Sequence, residues 1–329
     1  MTTSTIVIPA GYALRHPTRE DIPALIALID AHDRAHYGVS DPYTEEDILG
    51  DWKHLKAETD AWVMMAANGE IAGYATATDW GYGQLGIDGY VNPKHWGHGI
   101  GTALVRLAEA RLRDFVDNAP EGARVVADNG VILSDEPARR LHEGEGYTLA
   151  RTYWRMQIDM DSPPPAPEWP EGITLRTMER GRDERAIFDC VEQSFADHWG
   201  HVPRKFEEWI ARTERSDFDP SLWFLAVEGE QIAGVALCSM RPDGSGWVGT
   251  LGVRRPWRQK GLGRALLLQA FGEFYRRGVM SVALGVDAQS LTGATRLYEK
   301  AGMHVVMQFA RYEKELRAGV DMSTQTLSE

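Results

Sequence analysis

The sequence predicts an α/β protein made of two consecutive copies of one layered domain, each with a mostly antiparallel mixed sheet flanked by helices. Three observations support this fold class. Short motifs recur at a nearly constant offset, both halves repeat one order of strands and helices, and a proline-rich segment separates them. At 329 residues the chain is long enough for two domains, each with its own hydrophobic core.

Four pairs of short motifs define the repeat, and each second member lies about 160 residues after the first. The pairs are Leu14-Arg15 with Leu175-Arg176, Ile71-Ala72-Gly73 with Ile232-Ala233-Gly234, Gly99-Ile100-Gly101 with Gly261-Leu262-Gly263, and Arg140-Leu141-His142 with Arg296-Leu297-Tyr298. Such regular spacing over four landmarks indicates a duplicated domain.

The first part of the N-terminal copy carries strand, helix and hairpin signals in turn. Residues 12–15 predict a short strand. Residues 18–21 can cap a helix whose apolar stripe starts at Ile22, and a second helix is predicted around 44–55. Asn68 and Gly69 lie between two apolar runs, which predicts a β-hairpin.

The rest of this copy alternates strands and helices. A strand ends at Val91, and the helix after it presents Ile100, Leu104 and Ala108 on one face. Residues 125–127 predict a strand, residues 137–142 start a helix, and residues 153–160 form the last strand. The C-terminal copy repeats this order.

The predicted domain boundaries follow from this layout. The N-terminal domain covers residues 1–160, and the C-terminal domain covers residues 172–318. Residues 161–171 form a linker, which its prolines make semi-rigid and extended. Residues 319–329 are polar and are expected to form a flexible tail.

Composition limits the classes of partner. The net charge of −13 disfavours nucleic acid and anionic membrane surfaces. Cys190 and Cys238 cannot form a disulfide framework or a zinc site, so we expect no metal. No apolar run of 18 residues and no signal-peptide pattern occur, which predicts a cytoplasmic protein. The chain could be a monomer or a homodimer.

A phosphate-binding loop is predicted in the C-terminal copy. An apolar strand ends at residues 251–253, a basic loop with glycines follows, and a helix starts near Leu262. A helix N-terminus offers unpaired N–H groups and the positive end of the dipole, and glycine lets a pyrophosphate approach the backbone. Arg258, Lys260 and Arg264 add cationic charge.

The same stretch carries a family resemblance. Arg258-Gln259-Lys260-Gly261-Leu262-Gly263 matches the Arg/Gln-x-x-Gly-x-Gly/Ala signature of the GNAT superfamily of N-acetyltransferases, and residues 296–303 resemble the family's Leu-Tyr-Glu-Lys-x-Gly-Phe helix end. The resemblance covers nearly the whole chain twice and implies two consecutive GNAT folds. It also implies acetyl-CoA as cosubstrate and direct attack of an amine on the thioester.

The resemblance assigns roles to residues of the C-terminal copy. Tyr298 matches the tyrosine that protonates the departing thiolate, as general acid. Ser290 lies where the family often has Asn, although it could equally cap the next helix. The residues expected to bind acetyl-CoA are Leu251, Gly252, Val253, Arg258, Gln259, Lys260, Gly261, Leu262, Gly263, Arg264 and Ser290.

The N-terminal copy departs from the family pattern at two positions, where Trp96 replaces Arg or Gln and His142 replaces Tyr. We therefore expect a degenerate domain there and catalysis in the C-terminal domain. The glycines still permit a phosphate to approach, so the candidate residues of a second acyl-CoA site are Tyr90, Val91, Trp96, Gly97, His98, Gly99, Ile100, Gly101 and Thr102.

The general base is left open by the sequence. Mycothiol synthase, which has a similar layout, carries a catalytic Glu on the strand before the loop, but Trp247 occupies that position here. Trp cannot accept a proton, so this role does not carry over. Substitute bases are His198, His201 and Glu207, in the segment that usually lines the acceptor pocket, or a base acting through ordered water.

The prediction is thus an acetyl-CoA-dependent N-acetyltransferase for a primary amine of a small molecule. One alternative is a non-catalytic acyl-CoA-binding sensor or scaffold, and another is an enzyme for a different acyl-CoA. A dinucleotide-binding site around Gly97, Gly99 and Gly101 is disfavoured, because the glycine spacing and the predicted antiparallel layout do not suit it.

Overall fold

The computed structural model describes residues 6–38, 43–290 and 293–324, and the chain forms two compact units. Unit 1 comprises Met1–Thr152 and Phe309–Met322. Unit 2 comprises Tyr153–Gln308 and Ser323–Glu329.

Helices and strands of the N-terminal half follow the predicted order. They are β1 (Tyr12–Arg15), α1 (Ile22–Tyr37), α2 (Glu45–Asp51), α3 (Ala57–Asp60), β2 (Ala61–Ala66), β3 (Ile71–Asp79), β4 (Gln84–Val91), α4 (Ile100–Asp114), β5 (Val125–Ile132), α5 (Glu136–Gly144) and β6 (Thr148–Asp159).

Those of the C-terminal half repeat it. They are β7 (Ile173–Thr177), α6 (Glu184–Phe195), α7 (Phe206–Ile210), β8 (Trp223–Glu228), β9 (Gln231–Met240), β10 (Gly246–Val253), α8 (Leu262–Arg276), β11 (Ser281–Asp287), α9 (Ala294–Lys300) and β12 (His304–Arg317).

Each unit contains a mixed sheet that is mostly antiparallel, as predicted. In unit 1 the strand order is β1-β2-β3-β4-β5 followed by residues 309–317 of β12, and the parallel pair is β4 with β5. In unit 2 it is β7-β8-β9-β10-β11 followed by residues 153–159 of β6, and the parallel pair is β10 with β11. This arrangement confirms the fold class and does not fit a doubly wound dinucleotide-binding sheet.

The last strand of each unit comes from the other half of the sequence. Residues 309–317 pair antiparallel with β5, and residues 153–159 pair antiparallel with β11. The units therefore do not coincide with the predicted domains 1–160 and 172–318. The physical reason is that β6 and β12 are both long strands, of 12 and 14 residues, and each serves the two units with different parts.

Both sheets carry helices on their two faces. In unit 2, α8 buries the predicted stripe of Leu262, Leu266, Ala270 and Phe274, each at most 1% exposed. The opposite face is covered by α6 and α7 through a second apolar cluster that includes Trp209. The hydrophobic effect of these two layers stabilises the sheet between its helices.

The repeated Ile-Ala-Gly motif has a packing role. A Cβ at Gly73 would lie 2.7 Å from a methyl carbon of Ile100, and one at Gly234 would lie 3.1 Å from a methyl carbon of Leu266. Glycine at these positions therefore lets α4 and α8 lie close against their sheets.

The predicted tail is partly ordered. Val320 forms a parallel bridge with Ala123 in unit 1, and Thr324 accepts a hydrogen bond from the N–H of Gly200 in unit 2. The difference from the expected flexible tail starting at residue 319 arises from these backbone bonds, and residues 325–329 lie outside the described part of the chain. In the predicted linker, Trp169 packs against the core of unit 2.

None of the helices in the described ranges has the length and apolarity needed to span a bilayer.

The exchange of last strands predicts that a fragment of residues 1–160 does not form native unit 1. Without residues 309–317, β5 loses its antiparallel partner and the buried residues Ala310 and Tyr312 are missing from the core. We expect hydrogen exchange at residues 125–132 to be much faster in the fragment than in the full chain. A full chain truncated after residue 308 should show the same loss, and native protection in either protein would contradict the prediction.

Candidate functional site

The two central strands of unit 2 separate after a short parallel contact near their first residues. β10 and β11 pair in parallel only where residues 246–247 oppose residues 282–283. Beyond that point, β10 still pairs with β9, and β11 with β6. A register shift at Gly249 bends β10 where the separation starts. The facing edges therefore leave backbone groups of residues 251–253 available to a ligand.

The gap leads into a loop that presents backbone N–H groups. Gln259 (φ 61°) and Gly261 (φ 85°) both adopt the left-handed region, and α8 begins at the next residue. A left-handed residue other than glycine is uncommon and often marks a functional site. Lys260 and Arg264 flank the unpaired first turn of α8, where an anion is stabilised. The loop is thus suited to a pyrophosphate.

Arg258, in contrast, does not present its side chain to this loop. Its Nε donates to the carbonyl oxygen of Val253 (3.0 Å), one terminal nitrogen donates to that of Ser194 (3.0 Å), and the other donates to Asp197 (2.7 Å). Arg255 also pairs with Asp197. These bonds use the guanidinium to tie the end of β10 to the end of α6, and the predicted contact of Arg258 with a pyrophosphate stays a prediction.

Asp197 is the centre of this network. Its side chain is 2% exposed, and hydrogen bonds from Arg255 and Arg258 hold the pKa of its carboxyl well below the ordinary value. Since both cations come from the loop after β10, the carboxylate fixes where that loop begins.

Tyr298 lies on α9 and is 7% exposed, within the core cluster of unit 2. Burial raises the pKa of its phenol to about 12, so the hydroxyl stays protonated at neutral pH and can donate a proton. Ser290 does not cap α9, because the N-cap residue is Gly293. The Ser290 N–H instead donates to the carbonyl of Asp287 in the turn after β11.

His198 is the predicted base that interacts with a residue of β11. Its ring centroid lies 4.4 Å from that of Phe195, the last residue of α6, and it interacts electrostatically with Asp287 at the end of β11. Burial lowers the pKa of His198, so the imidazole is neutral at pH 7 and can accept a proton. His201 lies 3.6 Å from Glu192, whereas Glu207 is exposed on α7.

Trp247 is held between two cations. The guanidinium of Arg241 lies 5.2 Å from the centroid of the indole, and that of Arg155 lies 5.5 Å from it. The position that carries Glu in the mycothiol synthase pattern is therefore a cation–π site in this chain.

A cavity of about 460 Å³ opens on the α6 side of unit 2. It reaches β10 at Gly249 and Thr250, where the separation of the strands begins. Its lining also includes Phe195, which contacts His198, but none of the three predicted bases is among the described lining residues. The remaining lining residues are Val191, Arg204, Arg212, Arg215, Asp217, Phe218, Asp219, Trp223, Leu237, Cys238 and Ser239.

Unit 1 has the same separation of strands. β4 and β5 pair only where residues 84–87 oppose residues 126–129, and each then continues with its outer neighbour. Gly97 (φ 79°) and Gly99 (φ 80°) precede α4, which begins at Ile100. The predicted second loop, from Tyr90 to Thr102, thus has a suitable backbone, but Lys94 is already paired with Glu70 (3.0 Å).

Trp96 in unit 1 and Arg258 in unit 2 both donate a hydrogen bond to the carbonyl at the end of the preceding strand. Its indole N–H donates to the carbonyl oxygen of Val91 (3.0 Å), the counterpart of Val253, and its ring lies 4.9 Å from that of His36. The replacement of Arg by Trp at this position therefore preserves the bond to the strand end and does not by itself remove a ligand site.

The unit 1 gap also contains two carboxylates that we did not predict. Asp128 pairs with Gly86 in the ladder, so Asp88 projects from the same face two residues further along. Burial raises the pKa of Asp128 to about 6 although Arg311 lies 2.7 Å from its carboxylate and opposes the shift, and the charge of Asp88 adds to the effect of burial. Asp88 itself is exposed to solvent, yet the surrounding protein raises its pKa by desolvation. The available sequence signal was a carboxylate interrupting each of two apolar strands.

His142, the counterpart of Tyr298, is 5% exposed, and its Nδ1 lies 2.8 Å from the carbonyl oxygen of Ala138. The ring lies between Tyr147 and Tyr312, and burial lowers the pKa of the imidazole. These contacts give His142 a packing role in unit 1.

Three residues of unit 1 could hold a metal ion, although the sequence predicted no metal site. Ring nitrogens of His32 and His36 and a carboxylate oxygen of Asp135 lie within 4.8 Å of one another. His36 Nε2 lies 3.1 Å from the Asp135 carboxylate, so these two side chains are in direct polar contact without an ion.

The chain resembles known acetyltransferases over most of its length. Residues 25–147 and 185–303 each match the acetyltransferase (GNAT) family. A mycothiol acetyltransferase from Thermobispora bispora is 33% identical over 293 residues, which cover 87% of this chain and 93% of that protein. A mycothiol acetyltransferase from Thermomonospora curvata is 34% identical over 299 residues, covering 90% and 92%.

Solved structures show the same likeness. A GCN5-related N-acetyltransferase from Sphaerobacter thermophilus has 42% identity and a TM-score of 0.83, with 97% of this chain and 100% of that chain covered. A tandem GNAT protein from the clavulanic acid biosynthesis pathway has 18% identity and a TM-score of 0.68, covering 94% and 99%, and this second likeness shows the fold alone.

The network around Asp197 predicts a pH-dependent loss of stability. Asp197→Asn leaves two arginines without their shared charge, and we expect the free energy of unfolding of unit 2 to fall by about 3 kcal/mol. Because the folded pKa of Asp197 is depressed, its contribution is full above the unfolded value near 4 and is lost as the pH falls below it. The variant should therefore differ from the wild type in urea unfolding at pH 7 and converge with it towards pH 2.

Glu179→Gln is a matched control, since Glu179 pairs with Arg182 at an exposed site. It should change the free energy of unfolding by less than about 0.5 kcal/mol. An Asp197→Asn protein as stable as this control at pH 7 would show that the network is not needed.

Proposed function

Because the chain belongs to the acetyltransferase (GNAT) family and is an N-acetyltransferase, we propose that it transfers the acetyl group of acetyl-CoA to a primary amine of a small molecule, in the gap of unit 2. The observation that carries this proposal is the separation of β10 and β11, which leads directly into the left-handed loop before α8. The unpaired backbone groups of β10 are followed by the cationic N-terminus of α8. An extended acetyl donor that carries a pyrophosphate requires this sequence of binding groups.

The donor would lie along this path. Backbone groups of residues 251–253 pair with the pantetheine, and the first turn of α8 with Lys260 and Arg264 holds the pyrophosphate. An N–H group at the edge of β10 would polarise the thioester carbonyl.

The transfer needs two proton movements. The amine nitrogen attacks the thioester carbon, the carbon–sulfur bond breaks, and the electron pair leaves on sulfur. Neutral His198 accepts the proton that the amine loses, and the charge of Asp287 favours the protonated imidazole. The phenol of Tyr298 donates a proton to the thiolate, and solvent restores it.

The acceptor is proposed at the level of a small-molecule primary amine. The relatives called mycothiol acetyltransferases cover most of the chain, which makes their acceptor a candidate. Trp247 argues against a shared acceptor chemistry, because Arg155 and Arg241 hold an indole where the mycothiol synthase pattern has a catalytic Glu.

A second candidate is acetyl transfer in unit 1. Asp88 and Asp128 supply carboxylates with raised pKa values beside the gap between β4 and β5, as a general base requires. The unit 1 loop, however, has fewer cations for a pyrophosphate, and His142 lies in the core where unit 2 has a tyrosine.

Titration of acetyl-CoA separates the two candidates. Gly261→Glu puts a carboxylate where the pyrophosphate should bind in unit 2, and Gly99→Glu does the same in unit 1. We expect calorimetry to show binding to the wild type that Gly261→Glu weakens by about a hundredfold or more, with acetyl transfer lost in parallel.

Gly99→Glu should leave acetyl transfer unchanged. If the wild type binds a second equivalent of acetyl-CoA, this variant should not bind it. Transfer that survives Gly261→Glu and fails in Gly99→Glu would assign catalysis to unit 1.

Proton transfer predicts a pH profile. In wild type, kcat/KM should have an acidic limb with a midpoint below the ordinary histidine pKa of 6.5, because His198 must be neutral. No loss of the acid should appear below pH 10, because the pKa of Tyr298 is about 12. With the most active amine of a thiol-release screen, His198→Gln should lower kcat about a hundredfold and remove the acidic limb.

Tyr298→Phe should lower kcat by a similar factor and keep that limb, while the Kd of acetyl-CoA stays within about twofold in both variants. Full activity of His198→Gln would leave water or another group as the base.

A further inference from the structure

The unit 2 cavity has an uneven distribution of charge. Two of its carboxylates are already neutralised: Asp217 accepts from Arg215 at 3.0 and 3.2 Å, and Asp219 lies 2.7 Å from Arg277, which is outside the lining. These pairs fix the wall of the cavity and leave no net negative charge there for a cationic ligand.

Arg212 lines the same cavity and has no carboxylate partner within salt-bridge distance among the residues that the structure describes. Its guanidinium lies 5.1 Å from the centroid of the Trp209 ring. Burial, together with the neighbouring charge of Arg204, lowers the pKa of Arg212 to about 10. A partly buried cation without a counter-ion is costly in a folded protein, and an anionic ligand removes that cost.

Arg204 reinforces the charge rather than compensating it. Its Nε lies 4.0 Å from Glu192, at the limit of an ion pair, while Glu192 also accepts from the backbone N–H of Arg204 (3.2 Å) and lies 3.6 Å from His201. The Glu192 carboxylate is thus shared among three groups, and the cavity keeps a positive wall.

We propose that the cavity binds an anionic group of the acceptor, a carboxylate or a phosphate, through the guanidinium of Arg212 with support from Arg204. The inference rests on the proposed function of unit 2 and narrows its acceptor to amines that carry a negative charge. Arginine suits this role because its planar donors match the two oxygens of either group.

The position of the cavity would let one acceptor molecule contact Arg212 and also reach the gap between β10 and β11. It extends from Arg212 to Thr250 on β10, at the start of the separation where the thioester would lie. The counterpart of Thr250 in unit 1 is Asp88, a carboxylate, so the corresponding surface of unit 1 would repel the same acceptor. The two copies therefore differ in the charge of the ligand that they can accept.

A binding experiment tests the anion site without any reaction. Inorganic phosphate is titrated calorimetrically into the full-length protein saturated with CoA, so that the loop before α8 is already occupied. We expect Arg212→Gln to weaken phosphate binding about tenfold or more, Arg212→Lys to retain part of it, and Arg182→Gln, at an exposed surface pair, to change nothing.

A transfer experiment tests the acceptor class. Matched amines with and without the anion, an amino acid with its amide and glucosamine 6-phosphate with glucosamine, are compared by thiol release. In wild type the anionic member of at least one pair should have the lower KM, and Arg212→Gln should remove that preference with kcat little changed. The pair that responds distinguishes carboxylate from phosphate.

The outcomes separate this proposal from the function on which it rests. Phosphate binding equal in wild type and Arg212→Gln, or no phosphate binding in either, overturns the anion site. A preference for the uncharged amines overturns the acceptor class. Weaker binding of acetyl-CoA to Arg212→Gln would mean that the guanidinium pairs with the donor, which also overturns it. Phosphate binding that depends on Arg212, with no transfer to any amine, would leave the anion site and refute transfer in unit 2.

Discussion

The early end of the parallel pairing between β10 and β11 is the constraint on which the unit 2 site depends. A complete ladder would satisfy the backbone groups of both strands and leave none for a ligand. The register shift at Gly249 starts the separation, and the bonds of Arg258 to Val253 and Asp197 hold the end of β10 against α6. The backbone groups that the sheet leaves unpaired are therefore available to bind the proposed acetyl donor.

The same constraint operates in unit 1 with different side chains. The indole of Trp96 donates to Val91 where the guanidinium of Arg258 donates to Val253, so two chemically different residues meet one backbone requirement. The lining of the two gaps is under no such requirement. Carboxylates face the gap of unit 1, whereas a cavity with excess cationic charge adjoins the gap of unit 2. The two units can differ in this way because the geometry of their sheets does not depend on these side chains.

Local features of the sequence allowed much of the fold and part of the site to be predicted. The helix stripe that begins at Leu262 follows from a spacing of four residues, and the loop before it follows from glycines beside a helix start. The direction of the Arg258 side chain could not be predicted in this way, since its partners Ser194 and Asp197 are about sixty residues away in sequence. Asp88 and Asp128 each interrupt an apolar strand, but the pairing of β4 with β5 is what brings them to one gap.

The sequence alone determined that the chain contains two copies of a layered α/β domain, where their glycine loops lie, and that the C-terminal copy retains the tyrosine of the family pattern. The tertiary structure decided which half supplies the last strand of each sheet and which arginine is bonded within the protein. It also decided which arginine lines the cavity with no carboxylate partner among the described residues. The physical reason is the separation along the sequence of the residues that interact. Periodicity and turn chemistry act between neighbours along the chain, whereas strand partners and the charge balance of a cavity are set by residues that only folding brings together.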